Sequence, residues 1–147
     1  MNLDNLQMVL EETFSNNFVA YYRSHVAHVN ITGPEFPAYH KMLQKVYEYF
    51  QGNIDTLAEK LRSCRGMMPN SVHTVLDIAM LEDKETAGTA EELLSTVLDS
   101  FEVMIDQYHE LYTAAEEVNY IDISNFAQDQ IAILAKMRWM VEATLDV

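Results

Sequence analysis

The sequence has 147 residues, 49% of them hydrophobic, and its formal charge is −14 at pH 7. A chain of this length suits one domain with a sizeable hydrophobic core, and we predict a single domain over residues 1–147. Only four glycines and three prolines occur, and they cluster at breaks, which favours an all-α fold.

The negative charge is unevenly spread. Between Gly66 and Ala135 the only Lys or Arg is Lys84, against fourteen Asp and Glu. Such a surface repels phosphate backbones and attracts cations, so DNA binding is not expected and metal cations are plausible partners.

Two further features concern the compartment. No apolar run reaches the length of about 18 residues that a membrane span needs, and the N-terminus lacks the basic patch and apolar block of a secretory signal. Cys64 is the only cysteine, so no intrachain disulfide can form. These features predict a protein without a membrane span, in a reducing, cytoplasmic setting.

The first half of the chain predicts two long helices. Apolar residues at helical spacing indicate a first helix from residue 3 to about residue 30. The break at residues 30–34 contains Gly33 and Pro34, and a second helix follows from about residue 36 to about residue 65. Gly52 interrupts that helix, and either close approach of another helix or a local kink explains it.

A connecting segment follows the second long helix. Residues 66–70 are typical of a helix end, and residues 71–79 predict a short helix of two turns, capped by Asn70 or Ser71. The polar run at residues 82–88 then predicts a loop.

The second half of the chain predicts two more long helices. Thr89 and Glu92 have the spacing of a capping box, which opens a third long helix that ends at about residue 118. Residues 119–122 predict a turn, and residues 123–145 a fourth helix. Four long helices with a long crossing connection favour a ferritin-like four-helix bundle, with the short extra helix in the link between the second and third long helices.

Several residues that can bind a metal lie along the second helix or just before it. His40, Gln44, Asp55 and Glu59 lie on one stripe of that helix, and His28 precedes them near the end of the first. His40 and Asp55 are nevertheless about 22 Å apart along the axis at 1.5 Å per residue, so one ion cannot contact both within one straight helix.

The spacing of these residues is symmetric about the middle of the helix. If two copies of the helix cross antiparallel there, His40 and Gln44 of one chain face Glu59 and Asp55 of the other. A two-fold dimer generates this arrangement twice. We therefore predict a metal site between subunits.

Taken singly, each of these residues also has an ordinary explanation. A histidine near a helix end is often hydrogen-bonded and inert, and carboxylates one turn apart are usually a solvated face. Their mirrored arrangement is what favours ligation. Two imidazoles and two carboxylates suit Fe(II), Zn, Mn or Co.

Other candidates stand outside this set. His25 lies one turn before His28 and is a candidate auxiliary ligand. Glu48 lies near the middle of the second helix, and Asp122 and Asp129 are seven residues apart near the start of the fourth. No E-x-x-H motif, which marks ferritins with metal sites inside one bundle, occurs in the chain.

Longer stretches resemble a known family. The segment A-H-V-N-I-T-G-P-E-F at residues 27–36, the spacing from His28 to His40, and D-T-L-A-E at residues 55–59 resemble the Dps proteins, the small dodecameric ferritins. Residues 136–145, with a tryptophan three residues after a lysine, are similar to the last helix of that family. The resemblance covers nearly the whole chain.

The resemblance implies an iron-storage protein that oxidises Fe(II), usually with hydrogen peroxide, and stores ferric mineral in a hollow dodecameric shell. It implies ferroxidase sites shared across two-fold dimers, with His28 and His40 from one chain and Asp55 and Glu59 from its partner. One or two iron ions would occupy each site, and oxygen is the other candidate oxidant. In such a shell, Glu48 is a candidate for collecting iron or seeding mineral, and Asp122 and Asp129 are candidates for lining an acidic pore.

Two residues depart from the family pattern. Gln44 stands where Dps proteins commonly have Asp, which implies a weaker or water-bridged second iron position. Val29 stands where they often have Trp; Tyr21, Tyr22 and Tyr39 are candidate replacements, with core packing the competing role for each.

Two other functions remain open from the sequence. One is a Dps-like metal-buffering or structural shell with weak or no ferroxidase activity, which Gln44 favours. The other is chromosome binding and compaction, which the acidic balance and the absence of a basic N-terminal arm disfavour.

Overall fold

Five helices and no strands make up the structure, a computed structural model that describes residues 1–147. The helices are α1 (Asp4–Asn30), α2 (Phe36–Ser63), α3 (Val72–Ile78), α4 (Ala90–Glu117) and α5 (Ile121–Leu145). α1 packs against α2, α3 and α4, and α4 also packs against α5. The predicted all-α bundle with a short extra helix in its crossing link is confirmed.

The four long helices enclose one hydrophobic core. Its largest fully buried side chains include Phe14 of α1, Phe50 of α2, and Phe101 and Tyr108 of α4. Burying an aromatic or aliphatic side chain of this size stabilises the fold by about 1.5–3 kcal/mol. No helix carries an apolar stretch long enough to cross a membrane.

A buried amide network fastens the crossing link to the bundle. Asn16 Oδ1 accepts hydrogen bonds from the backbone N–H groups of Met80, at 2.7 Å, and Leu81, at 3.0 Å. Asn16 Nδ2 donates to Gln107 Oε1 at 2.8 Å, and Gln107 Nε2 donates to Thr13 Oγ1. The end of the link is thereby bound to both α1 and α4.

α2 ends two residues earlier than predicted, at Ser63. Arg65 takes the left-handed conformation, with φ 66°, and the N–H of Gly66 donates to the carbonyl of Leu61 at 2.9 Å. This closes the helix in the Schellman pattern. Gly66 is needed for space, since a Cβ there would lie 2.6 Å from Cδ1 of Leu61.

The predicted turn at residues 119–122 is too long, because α5 begins at Ile121. Asn119 adopts φ 61°, and the N–H of Tyr120 donates to the carbonyl of Ala115 at 2.9 Å. This Schellman closure completes α4 in so few residues that α5 starts at once. Asp122 therefore lies in the first turn of α5.

The capping predictions are confirmed at two helices. Thr89 and Glu92 form the expected capping box at the start of α4. At α3 the cap is Ser71 and not Asn70, since the Ser71 side chain accepts from the N–H of Thr74. α2 continues through Gly52, where an added Cβ would meet nothing within 4 Å beyond its chain neighbours and the adjacent backbone of its own helix.

Candidate metal centre

Two imidazoles meet where α1 ends and α2 begins. Nδ1 of His28 lies 2.7 Å from the carbonyl oxygen of His40, and Nδ1 of His40 lies 2.8 Å from the carbonyl oxygen of His28. A carbonyl oxygen only accepts, so each Nδ1 carries the hydrogen and each Nε2 keeps a free lone pair. The pair is thus held in the tautomer that a metal ligand requires.

The two rings stack, with centroids 3.8 Å apart and planes 16° from parallel. His28 is buried, with only 7% of its surface exposed. Burial, with a smaller contribution from the neighbouring His40 and His25, lowers the pKa of His28 below its ordinary value. The neutral, ligating form of His28 is therefore favoured.

Two carboxylates lie one turn apart on the exposed face of α2. Asp55 is close enough to share a hydrogen with Glu59, and this contact and its negative charge raise the pKa of Glu59. Both side chains are exposed. A cation bound between them would relieve their mutual repulsion.

Gln44 and Glu48 occupy the same helix between the imidazoles and the carboxylates. Nε2 of Gln44 donates to Oε1 of Glu48 at 2.9 Å, and both residues are exposed. This hydrogen bond commits the amide nitrogen and leaves the Gln44 Oε1 available as a neutral oxygen ligand.

The structure brings the imidazoles together, and the carboxylates together, but keeps the two pairs apart. Uninterrupted helix separates His40 from Asp55, which is about 22 Å at 1.5 Å per residue. No group of three His, Cys, Asp or Glu side chains in the chain is arranged to hold one ion. Each chain therefore carries two incomplete sets of ligands, and their joint role remains a prediction.

The interior of the bundle offers no alternative set. Tyr49 Oη and Asn53 Nδ2 both donate to Oε1 of Gln130, at 2.7 and 3.0 Å, beside the buried Tyr108. No Asp or Glu of the chain is buried. This cluster consists of neutral groups, which hold one another and supply no carboxylate for iron.

The remaining sequence candidates are dispersed. Asp122 and Asp129 are both exposed on α5, and no contact joins them in the single chain. His25 lies beside the imidazole pair, 6.1 Å from the His28 ring between centroids. Nδ1 of His25 is 2.8 Å from the Tyr21 hydroxyl, which leaves its Nε2 free.

Tyr47 is a neighbour of the site that the sequence reasoning missed. Its ring stacks on His25, with centroids 4.0 Å apart and planes 6° from parallel, and lies 5.0 Å from His28. Its position could have indicated this, because Tyr47 lies two helical turns after His40 and therefore on the same face of α2.

Cys64, at the end of α2, is free and buried. Burial raises the pKa of its thiol, which disfavours the reactive thiolate. Both properties favour a packing role for Cys64 over a reactive one.

Comparisons with known proteins agree with this fold. The ferritin-like domain model matches residues 8–147. The DNA protection during starvation protein of Brevibacillus brevis is 27% identical over 139 residues, which are 95% of this chain and 93% of that protein.

Solved structures of Dps proteins have the same fold as this chain. The Dps protein from Bacillus brevis has a TM-score of 0.92 at 26% identity, covering 99% of each chain. A Dps protein from Vibrio cholerae O1, described as a member of a superfamily of ferritin-like diiron-carboxylate proteins, has a TM-score of 0.92 at 24% identity, which shows the fold alone. It covers 97% of this chain and 90% of that one. The chain belongs to the ferritin-like family, and its homologues include Dps proteins.

Proposed function

We propose that the protein stores and detoxifies iron. It oxidises Fe(II), with hydrogen peroxide as the main oxidant and oxygen as the second, at ferroxidase sites shared between two-fold related subunits. The ferric product is kept as mineral inside a hollow dodecameric shell. The cytoplasm, where the lone thiol stays reduced, is the proposed setting.

The arrangement of His28 and His40 carries this proposal. Both Nε2 lone pairs are free, both rings are fixed by backbone carbonyls, and burial favours the neutral form of His28. The stacked pair of imidazoles supplies only half of the ligands that an iron site needs. The carboxylates that would complete it, Asp55 and Glu59, lie on the exposed face of α2. A second copy of the chain, crossing α2 antiparallel, supplies Asp55 and Glu59 to the pair.

Such a mixed set of nitrogen and oxygen ligands binds Fe(II) and leaves positions open for an oxidant. If two Fe(II) ions share the site, each would give one electron to hydrogen peroxide and become Fe(III). The peroxide would take up two protons from solvent and form two water molecules, so no hydroxyl radical would be released. In the shell, Asp122 and Asp129 would attract Fe(II) at a pore, and Glu48 would help seed the mineral, because carboxylates suit iron ions.

Complementation between two variants tests whether the site is shared. One variant carries His28→Ala and His40→Ala, and the other carries Asp55→Ala and Glu59→Ala. Neither variant alone can form a complete site. In a mixed dimer, the intact imidazoles of the second variant meet the intact carboxylates of the first, so one of its two sites is restored.

Stopped-flow measurement of Fe(II) oxidation then gives a sharp outcome. We expect negligible rates for each variant alone and a substantial recovered rate after the two are unfolded and refolded together. Wild-type protein put through the same procedure is the control. Failure of the mixture to regain activity, with wild type fully active, would contradict the shared site.

A second candidate function is a metal-buffering shell with weak or no ferroxidase activity. Gln44 favours it, because a neutral amide hydrogen-bonded to Glu48 binds a hard cation less strongly than a carboxylate does. Equal, slow oxidation by wild type and by a His28→Ala/Asp55→Ala variant would select this function.

The name of the Brevibacillus brevis relative refers to DNA protection. With a formal charge of −14, this chain is better suited to protecting DNA by removing Fe(II) and peroxide than by coating it. Tight retention of DNA in a gel-shift assay at low salt would overturn that choice.

A further inference from the structure

A cavity of about 710 Å³ lies between α1, the short helix α3 and the last part of the crossing link. Clefts of about 300–1,000 Å³ are the size that holds small organic ligands. Apolar side chains of α1 and α3 form most of the wall: Phe18, Val19, Tyr22, Val26, Val72 and Leu76. The link at residues 82–87 completes it, and neither imidazole of the candidate metal centre lines it. This apolar cavity is therefore distinct from the imidazole pair.

One buried cation, Arg23 of α1, lines the cavity. Arg23 is only 6% exposed, and no other Lys, Arg, Asp or Glu of the chain is buried. A guanidinium has five N–H donors, but this one makes a single hydrogen bond, from Nη2 to the carbonyl oxygen of Glu82. Its Nε is buried without a partner. Most of the hydrogen-bonding capacity of Arg23 is therefore unused within the chain.

No carboxylate of the chain neutralises this guanidinium by direct contact, since neither ion pair of the chain includes Arg23. Burial lowers the pKa of Arg23, and three carboxylates nearby only partly oppose that effect. These carboxylates are Asp99, Glu82 and Asp83, all of them exposed. A buried charge costs free energy unless it is paired and hydrogen-bonded. An anion bound in the cavity would remove that cost.

We propose that this cavity binds a small organic monocarboxylate, whose carboxylate accepts hydrogen bonds from Arg23 and whose apolar body fills the space between α1 and α3. Guanidinium and carboxylate groups match in shape, because both are planar and can form two parallel hydrogen bonds. The apolar wall selects the rest of the ligand. Inorganic phosphate would leave that wall uncovered and most of its own oxygens without a partner.

The charged residues of the link favour a different ligand, a cation, and must be weighed against Arg23. Glu82, Asp83 and Glu85 line the cavity, but all three are exposed and Lys84 stands among them. Water and salt screen exposed charges, whereas a buried charge acts through a medium of lower dielectric constant. The buried cation therefore outweighs the exposed carboxylates, and an amine of the same shape is rejected.

Calorimetric titration with 2-naphthoate tests the site on the assembled protein, freed of metal with EDTA and then dialysed. Two compounds with the same ring system are the reference ligands: neutral 2-naphthamide and cationic 2-naphthylmethylamine. We expect 2-naphthoate to bind about 10- to 100-fold more tightly than 2-naphthamide, as a hydrogen bond to a charged group implies. The amine should show no measurable binding.

Two variants with the same replacement assign this preference to one residue. Arg23→Met keeps most of the side-chain length and removes the charge, so it should lower the affinity for 2-naphthoate to that for 2-naphthamide. Arg138→Met is the matched control, because Arg138 lies on α5 and does not line the cavity. It should leave both affinities unchanged. Thermal unfolding checks that both variants are folded, which we expect because an apolar side chain can replace a buried charge without loss of stability.

Crystals of the wild type soaked with 6-bromo-2-naphthoate locate the ligand without any variant. We expect an anomalous bromine signal in the cavity, with the carboxylate within hydrogen-bond distance of Arg23. Equal affinities for naphthoate and naphthamide, a preference that survives in Arg23→Met, or bromine only outside the cavity would overturn the site. None of these measurements involves iron, so their outcome is independent of the proposed function.

Discussion

Gln44 is the position at which one substitution should strengthen the candidate site. Gln44→Glu keeps the length of the side chain and replaces a neutral ligand oxygen by a carboxylate. A unit negative charge about 4 Å from a divalent cation contributes about 2 kcal/mol even at the dielectric constant of water. That corresponds to binding about 30-fold tighter at the second metal position.

The same substitution should cost little stability. It removes the exposed hydrogen bond from Gln44 to Glu48 and places two like charges one turn apart, which is worth about 0.2–0.5 kcal/mol on a helix surface. This repulsion is relieved when a cation binds, so it does not offset the gain in affinity.

Titration with Co(II), whose visible absorbance reports coordination, measures the affinity directly. Asn5→Asp, at the exposed start of α1, adds one negative charge at the end of α1 opposite His28 and is the matched control. We expect Gln44→Glu to lower the second dissociation constant and to accelerate iron oxidation, while the control does neither. Dissociation constants that do not differ between Gln44→Glu and wild type would refute Gln44 as a ligand position.

Three other substitutions probe the link, the bundle interior and the pore. Asn16→Ala removes the hydrogen-bond acceptor of two backbone N–H groups of the link, one of them at the buried Leu81. An unpaired buried group costs about 1–3 kcal/mol, so urea unfolding should show a free energy of unfolding lower by about 3 kcal/mol. Burial raises the pKa of Tyr49, so the folded state opposes ionisation of its phenol. Stability should therefore fall once the pH exceeds the ordinary tyrosine pKa of about 10. Tyr49→Phe should flatten that decline in unfolding measurements at alkaline pH. Asp122→Asn with Asp129→Asn should slow iron uptake into the shell, and unchanged uptake kinetics would remove the pore assignment.

Local chemistry explains why the helices could be predicted from the sequence. Thr89 and Glu92 predict the start of α4 correctly, because a capping box depends only on residues within the first turn of its own helix. The start of α5 was misplaced because Asn119 adopted a positive φ that the sequence permits but does not require. The end of α2 shifted for a similar reason at Arg65.

The candidate site could be predicted only in part. Spacing along α2 placed its ligand types on one stripe, since helical geometry is fixed by the backbone. The reciprocal hydrogen bonds of His28 and His40, and the ring of Tyr47 against His25, depend on how α1 docks on α2. Such contacts join residues distant in sequence, so no local pattern carries them.

A site divided between chains also solves an electrostatic problem. Inside the bundle, carboxylates would have to be desolvated before any metal arrived, and the interior instead contains hydrogen-bonded neutral groups such as Gln130. On the outer face of α2, Asp55 and Glu59 remain hydrated in the free chain. In the proposed shared site they would lose water only when the partner and the cation arrive together, so the charge and its counter-charge would be buried in one step.

Metal binding and subunit pairing must then favour each other by the same free energy. At a Co(II) concentration 100 times the dissociation constant, one site stabilises the dimer by about 2.7 kcal/mol, and two equivalent sites by about 5 kcal/mol. Sedimentation of a dilution series should therefore show tighter pairing with Co(II), and Asp55→Asn with Glu59→Gln should abolish the difference. Pairing that is indifferent to the metal would mean that no ion bridges the two chains, because a ligand that binds across an interface cannot leave the strength of that interface unchanged.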